Sequence, residues 1–198
     1  MRYVLLSALV LAACADAPDP EPSASAIEAP SPSRTDRAVA EIGAVDGSGV
    51  SGTVEFVDLG EAVEIRYNLA GLSPGEHGFH VHQNGDCGTD STGTPAGAAG
   101  GHFNPLSSEH GGPGEAATDR HAGDLGNIEG DASGNAIGTR VDSVLAFSGP
   151  TSIVGKGFIV HGGRDDLESQ PSGDAGPRVG CGVIAMVGEA PGAASEES

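Results

Sequence analysis

A histidine-rich segment, GEHGFHVHQ at residues 75–83, concentrates reactive side chains in a short part of the chain. It holds His77, His80 and His82, three of the seven histidines in the 198-residue sequence. In a β-strand, residues two apart project from the same face, so His80 and His82 are expected to point together. Imidazole nitrogens suit zinc and copper. Taken alone, the pair indicates a structural histidine pair as readily as a metal site.

More residues of metal-ligand type follow in the next Gly-rich segment. They are His102, His110, and then His121 and Asp124 within the motif HAGD. Three histidines and one carboxylate complete a tetrahedral zinc site with no open position, which is the arrangement of a structural zinc. His161, at the end of a later predicted strand, supplies a further copper-type ligand. Six histidines and one aspartate therefore predict two metal ions, one of copper and one of zinc.

Period-two patterning predicts the elements that carry these side chains. Alternating apolar and polar residues are interrupted by turn sequences such as Asp46-Gly47-Ser48-Gly49, which is typical of antiparallel strands joined by tight turns. With 33 glycines, the pattern favours an all-β antiparallel sandwich or barrel with little helix. The predicted strands are residues 38–45, 50–59, 62–72, 78–83, 124–129, 136–145, 156–161 and 182–187.

Two long Gly-rich segments, 84–123 and 162–180, separate the predicted strands. Loops of that length within a compact domain are uncommon and usually carry function. Both segments contain residues of the two predicted metal sites or lie next to them. We therefore expect both loops to be functional.

The N-terminal residues predict export. Met1-Arg2 precedes an apolar run from Tyr3 to Leu11 that is too short to span a membrane, which indicates a signal peptide over residues 1–13. The sequence LAAC ending at Cys14 resembles the lipobox of bacterial lipoproteins, in which the cysteine is acylated. The alternative is an ordinary secretory signal in which Cys14 has no special role.

The composition of the remaining chain predicts its domain organisation. Residues 14–37 are rich in Pro, Ala, Ser and acidic side chains, which predicts a disordered tether. Residues 188–198 predict a disordered acidic tail, which leaves 38–187 as one folded domain. The formal charge of −19 argues against nucleic acid as a partner, because phosphate contacts need clustered Lys and Arg.

Cysteine usage agrees with an extracytoplasmic location. If Cys14 is acylated, Cys87 and Cys181 form an even pair in an oxidising compartment. A disulfide between them would stabilise the fold by roughly 4–5 kcal/mol in the chain-entropy description. Two free thiols are the alternative.

Six motifs in order carry a resemblance to a known family. They are GFHVHQNGD, GGHFNP, EHGGP, RHAGDLGN, VHGGRDDL and GPRVGCGVI, and together they resemble the copper/zinc superoxide dismutases, in particular the exported, lipoprotein-type bacterial branch. The resemblance covers 38–187 and implies an eight-stranded antiparallel Greek-key β-barrel. It also implies an enzyme that disproportionates superoxide to O2 and H2O2 by alternating reduction and oxidation of one copper, with one structural zinc, and that protects the cell envelope.

The resemblance implies a metal ligand at each matched position. The residues that match copper ligands are His80, His82, His102 and His161, and those that match zinc ligands are His102, His110, His121 and Asp124. His102 would bridge both metals through its two ring nitrogens, and we expect it to store and return a proton. His77 matches a structural, hydrogen-bonded histidine; it is expected at a turn before the strand, facing away from the ligands.

Three further positions match residues around the metals. Asp165 would link a copper-ligand histidine to a zinc-ligand histidine. Arg178 would be the catalytic arginine of the substrate channel, beside the copper. Cys87 and Cys181 would form the family disulfide. Two departures concern the loops: the segment from His110 to His121 is two residues longer than in common eukaryotic members, and 162–177 has few basic residues.

The expected partners follow from this assignment. Superoxide would be the substrate, the membrane would be contacted only through the lipid on Cys14, and a homodimer is possible. The predicted location is the periplasm or cell envelope. The main alternative function is a metal-binding lipoprotein that stores or delivers copper and zinc; a structural surface module and a copper-only variant fit the intact ligand sets less well.

Overall fold

The structure is a computed structural model that describes residues 36–188. The predicted signal peptide, Cys14, nearly all of the predicted tether and the tail from residue 189 lie outside the described residues. Among residues 36–188, no helix combines the length and apolar character needed to cross a membrane.

Nine strands and one three-residue 3-10 helix make up the regular structure of the described chain. All ladders between the strands are antiparallel. The strands are β1 (Arg37–Ala44), β2 (Ser51–Asp58), β3 (Val63–Ala70), β4 (Gly75–His82), β5 (Asp124–Gly130), β6 (Ala136–Asp142), β7 (Gly157–His161), β8 (Arg178–Val183) and β9 (Ala185–Met186); the 3-10 helix is Gly97–Ala99.

The strand order is β5-β4-β7-β8-β1-β2-β3-β6, with β9 beside β1. The eight longer strands form a nearly closed barrel. Several neighbouring strands in the barrel are not consecutive in sequence, such as β4 with β7 and β3 with β6. These pairings give the Greek-key connectivity. The predicted all-β, eight-stranded antiparallel barrel is confirmed, with β9 as a short addition.

Strand β4 is buried on both of its faces, which explains its near-continuous run of buried residues. Phe79 and Val81 point into the barrel core. Phe79 packs edge-to-face on Phe158, with 4.6 Å between ring centroids, an arrangement that aromatic pairs favour. His80 and His82 point the other way and are also buried, because the long loops cover that face.

Three strands differ from the sequence-based prediction by three or more residues at an end. β6 ends at Asp142 and not at residue 145. β4 begins at Gly75, so His77 lies within the strand and not at a turn before it. The eighth strand runs over Arg178–Val183 and not over 182–187. Gly180 and Gly182 weaken the strand pattern there; they are needed because a Cβ at Gly182 would meet the Glu41 carbonyl oxygen and neighbouring atoms of β1.

After β8 the chain changes its partner strand. The buried Ile184 donates its N–H to Lys156 O at 2.9 Å, and Ala185–Met186 then pairs with β1. The apolar run that predicted one strand over 182–187 therefore belongs to two short ladders.

A disulfide ties the loop after β4 to β8. Cys87 and Cys181 are bonded, with their Cα atoms 5.8 Å apart and a sequence separation of 94. This confirms the expected bridge. It fixes the start of the 84–123 loop against the strand that carries Arg178.

Candidate metal centre

The first cluster of ligand-type side chains is built on neighbouring strands β4 and β7. His80 and His82 alternate with core residues on β4, and His161 ends β7. His102 comes from the 84–123 loop, which is held beside the strand by a β-bridge between His102 and His82. The four side chains are buried and each offers a nitrogen within 4.8 Å of the others.

The second cluster shares His102 with the first. His102, His110, His121 and Asp124 are all buried, and their ligand atoms also lie within 4.8 Å of one another. Asp124 is central: its Oδ1 lies 2.7 Å from His102 Nδ1 and 3.1 Å from His121 Nδ1, and its Oδ2 lies 3.1 Å from His110 Nδ1. All seven predicted ligand residues therefore lie in the two groups that the sequence assigned.

We call the first cluster the copper-side cluster and the second the zinc-side cluster. In the copper-side cluster, fixed hydrogen-bond partners determine which nitrogen of three rings faces inward. His80 Nε2 bonds Asp165 Oδ2 at 2.7 Å, His82 Nδ1 bonds Gly100 O at 2.9 Å and His161 Nδ1 bonds Gly176 O at 3.1 Å. The other nitrogens point to a common centre, where Nε2 of His82 and Nε2 of His161 are 3.4 Å apart. An outer hydrogen bond on one nitrogen with the other directed inward is the usual arrangement of a metal-binding histidine.

Three buried nitrogens in the two clusters have no hydrogen-bond partner in the described part of the chain. They are His80 Nδ1, His102 Nε2 and His110 Nδ1. Leaving a buried polar atom unsatisfied costs on the order of 1–3 kcal/mol. Copper in the first cluster and zinc in the second would satisfy all three atoms, so the side chains fit the two metals.

Burial keeps three rings of the copper-side cluster neutral, those of His82, His102 and His161. Burial, reinforced by the neighbouring histidines, lowers the pKa of His161 to about 3 and the pKa of His82 well below its ordinary value. Burial also lowers the pKa of His102 to about 4, although the Asp124 carboxylate opposes the shift. Metals bind neutral imidazole, so these rings can bind copper without first losing a proton.

For Asp124 and His110 in the zinc-side cluster, the effect of neighbouring groups on the pKa outweighs the effect of burial. Burial disfavours charge on Asp124, but hydrogen bonds from His102 and His121 and the close approach of His110 Nδ1 more than compensate and hold its pKa well below the ordinary range. For His110, burial lowers the pKa, and the stronger combined effect of Asp124 and Asp165 raises it to about 9. Zinc would therefore displace a proton from His110 at neutral pH.

Asp165 links the two clusters as predicted. Its side chain is fully buried; Oδ2 contacts His80 at 2.7 Å and Oδ1 contacts His110 at 2.9 Å. Asn127 on β5 fixes the backbone of Asp165 through two hydrogen bonds of 2.8 Å, one to its N–H and one to its carbonyl.

A cavity of about 390 Å³ opens onto the first cluster. The cavity is lined by His82, His102 and His161 of the first cluster. Arg178 and Pro171 also line it. Arg178 is held by hydrogen bonds from Nη2 to Gly100 O at 2.6 Å and from Nη1 to Ala96 O. A small anion entering this cavity meets a guanidinium close to the copper-side rings.

His77 lies outside both clusters, as expected. Its Nδ1 is 2.8 Å from His161 O and its Nε2 is 2.8 Å from Ser73 O. It joins the turn before β4 to the end of β7, so it is a structural residue that supports the position of His161.

Sequence reasoning missed a buried arginine behind the zinc-side cluster. Arg120 is 1% exposed; its Nη2 contacts Asp142 Oδ2 at 2.5 Å and its Nη1 donates to the carbonyls of His121, Ala122 and Asp124. The guanidinium thereby shapes the HAGD turn. An arginine in a polar loop gives no sequence signal of burial, since charged residues are almost always exposed.

Comparison with known proteins decides the family. The sequence profile described as copper/zinc superoxide dismutase matches residues 50–184, a range that contains both clusters, Arg178 and the disulfide.

The chain belongs to the copper/zinc superoxide dismutase family.

Curated relatives agree with this membership. A copper/zinc superoxide dismutase of Yarrowia lipolytica is 45% identical over 148 residues, covering 70% of this chain and 92% of that protein. The Saccharomyces cerevisiae superoxide dismutase is 42% identical over 148 residues with the same coverage. An extracellular superoxide dismutase of Caenorhabditis elegans is 40% identical over 144 residues, covering 70% of this chain and 62% of that protein.

A solved structure confirms the fold. The crystal structure of the clock protein EA4 superposes with a TM-score of 0.67 at 34% identity, covering 76% of this chain and 94% of that chain. The predicted family, fold, copper and zinc cofactors and superoxide substrate are thus confirmed for this superoxide dismutase.

Proposed function

We propose that superoxide is disproportionated in the cavity above His80, His82, His102 and His161, which hold copper, while His102, His110, His121 and Asp124 hold zinc. The observation that carries this proposal is the position of His102. Its Nδ1 faces Asp124 at 2.7 Å, its buried Nε2 has no hydrogen-bond partner among the described residues, and the residue belongs to both clusters. One imidazole would therefore serve both metals.

Copper bound there would supply alternating one-electron chemistry, by which one superoxide is oxidised to O2 and a second is reduced to H2O2 with uptake of two protons. His102 holds one of these protons at Nε2 and releases it, while its Nδ1 side stays fixed in the zinc-side cluster. The carbonyls of Gly100 and Gly176 and the carboxylate of Asp165 keep the other rings oriented. Arg178 attracts the anion into the cavity.

The bridging role of His102 has a direct spectroscopic test. With Co(II) in the zinc site and Cu(II) in the copper site, a shared imidazolate couples the two spins, so the Cu(II) electron paramagnetic resonance signal is lost. In His102→Gln the signal returns even if both metals bind. A full Cu(II) signal in the wild-type Co(II)/Cu(II) protein would contradict the shared ligand.

Metal storage or delivery accounts for less of the structure. A storage protein needs the ligands but has no use for Arg178 on the wall of an open cavity. A copper-only enzyme has no use for the complete second cluster around Asp124. Both features support turnover at a two-metal site.

We propose that the enzyme is exported and anchored to a membrane by a lipid on Cys14. The sequence of residues 1–14 supports this proposal, as does the Cys87–Cys181 disulfide, since disulfides persist in oxidising compartments. The name of the extracellular nematode relative is in line with export. Residues 14–37 would be the tether, 38–187 the enzyme domain and 188–198 the tail, so the protein would remove superoxide in the periplasm or cell envelope.

Labelling with a fatty-acid probe tests the anchor. The wild-type chain should incorporate the probe and fractionate with membranes, whereas Cys14→Ala should do neither while keeping its disulfide. Membrane association of the variant would contradict the assignment. A homodimer stays a prediction, which sedimentation of the purified protein checks.

A further inference from the structure

Gln170 belongs to the 162–177 loop, but its side-chain amide reaches into the 84–123 loop. Oε1 accepts a hydrogen bond from His110 N at 2.8 Å, and Nε2 donates to His110 O at 2.9 Å. Nε2 also donates to Glu168 O at 3.2 Å within its own loop. One amide thus holds both backbone polar groups of a residue 60 positions away in sequence.

The ring of His110 is held by the same loop that holds its backbone. His110 Nε2 contacts Asp165 Oδ1 at 2.9 Å. Its buried Nδ1 makes no hydrogen bond with any residue of 36–188 and lies 3.1 Å from Asp124 Oδ2 in the zinc-side cluster. Gly173, with φ of 66°, lies so close that a Cβ there would overlap Asp165 Oδ1 and His110 Nε2. Asp165, Gln170 and Gly173 therefore enclose His110 from three sides.

The residues that follow Gln170 form part of the substrate cavity. Pro171 and Ser172 line the cavity of about 390 Å³ together with Arg178. A displacement of His110 would be transmitted through the Gln170 amide to this wall, and a displacement of the wall would be transmitted back to His110.

We infer that Gln170 is a positioning residue that locks the zinc ligand His110 and couples occupancy of the zinc site to the shape of the substrate cavity. This inference rests on the proposed zinc site. Gln170 is exposed to solvent overall, although its amide bonds His110. It contacts neither the reacting atoms nor the copper-side rings. Its effect is expected on zinc retention and on anion access, and not on the identity of the copper ligands.

Zinc release from the full-length, copper- and zinc-loaded protein tests the first half of the inference. The transfer of zinc to a chromogenic chelator at pH 7 is timed for the wild type, Gln170→Ala and Gln170→Glu. We expect release to be about 10–100-fold faster in Gln170→Ala, as for loss of other outer hydrogen bonds to metal ligands. Gln170→Glu keeps the acceptor for His110 N but cannot donate to His110 O, so it should also release zinc faster. Asn68→Ala, an exposed amide on β3, should behave as the wild type.

Azide binding tests the coupling to the cavity. This small anion is titrated into the Cu(II) protein, with and without zinc, and followed by visible absorption. Removing zinc from the wild type should weaken azide binding by about fivefold or more, the lower range for coupled sites. In Gln170→Ala, azide binding should already be weakened, and zinc removal should change it little further.

The outcomes separate the inference from the proposed function. If the wild type holds zinc and both Gln170 variants release it at the wild-type rate, the inference is overturned while the proposed site stands. If azide affinity in the wild type is the same with and without zinc, the coupling is overturned. If the wild type takes up no zinc, the proposed site and the inference are overturned together. Should Gln170→Ala fail to fold, Gln170→Glu, which retains the Oε1-type acceptor, decides the question.

Discussion

Arg178 and His82 donate hydrogen bonds to the same backbone oxygen, the carbonyl of Gly100, at 2.6 and 2.9 Å. The guanidinium that faces the entering anion and a ring of the copper-side cluster are therefore held at a fixed separation by one atom of the 84–123 loop. Loss of the guanidinium leaves the other bond in place. The effects of Arg178 on substrate and on metal binding can thus be separated.

Replacing Arg178 by alanine should lower kcat/KM for superoxide about tenfold or more, because focused positive charge raises association rates by roughly 10–10³. Copper content should not change, since His82 keeps its bond to Gly100. Arg164→Ala removes the same charge from an exposed ion pair with Glu76 and is the control. Wild-type kinetics in Arg178→Ala would remove this residue from the catalytic site.

Added salt should slow the enzyme. The chain carries a formal charge of −19, which repels an anion at long range, but the Arg178 guanidinium on the cavity wall attracts it at the point of entry. Screening with a Debye length of about 8 Å at physiological ionic strength weakens that local attraction. Stopped-flow rates across a salt series measure whether added salt lowers or raises the rate. A rate that increases with salt would show that the global repulsion dominates and that local steering by Arg178 is not the main effect.

Replacing Asp165 by asparagine should release zinc about 10–100-fold faster, as expected for an outer carboxylate that orients ligands. The amide would keep the shape of the side chain but not the charge that Asp165 places between His80 and His110. Glu168→Gln makes the same acid-to-amide change at an exposed position of the same loop. Equal zinc-release rates in the two variants would show that Asp165 does not position the zinc ligands.

The metal-free protein should be most stable near pH 6.5. The folded-state pKa values of His102 and His161, about 4 and about 3, lie below the unfolded value of about 6.5. Their contribution is therefore present above pH 6.5 and is lost as pH falls toward 4. His110 has a folded pKa of about 9, so its contribution is present below pH 6.5 and is lost as pH rises through 9.

Urea unfolding of the metal-free protein between pH 4 and 9 measures this profile. His161→Gln should flatten the acid side without changing the alkaline side. A stability that rises steadily from pH 6.5 to 4 would contradict the neutral state of the buried His102 and His161 rings.

Residue types and alternation predicted the seven residues of the two clusters and most strands, whereas the sharing of His102 between the clusters followed from the family resemblance. His80 and His82 alternate with core residues of β4, so the period-two pattern identified both the strand and the face that carries the ligands. The grouping of His102, His110, His121 and Asp124 followed from the ligand set that zinc prefers. These features are local or depend on residue type alone.

The features that sequence reasoning missed depend on contacts between distant segments. β8 was misplaced because Gly180 and Gly182, which carry no side chains to show alternation, pack closely on β1 and β7. Gln170 matters only because its loop reaches the backbone of His110. Arg120 can be buried because Asp142 and three loop carbonyls accept hydrogen bonds from its guanidinium. No sequence pattern predicts these partners.

Superoxide decay catalysed by the purified full-length protein, loaded with one copper and one zinc, tests the central claim most directly. A rate constant on the order of 10⁸–10⁹ M⁻¹s⁻¹, the diffusional ceiling that superoxide dismutases are known to approach, is the predicted result, and it should fall to the uncatalysed rate when copper is removed. Negligible turnover with both metals bound would contradict the proposed enzyme and would favour a metal-storage or delivery role for the same clusters.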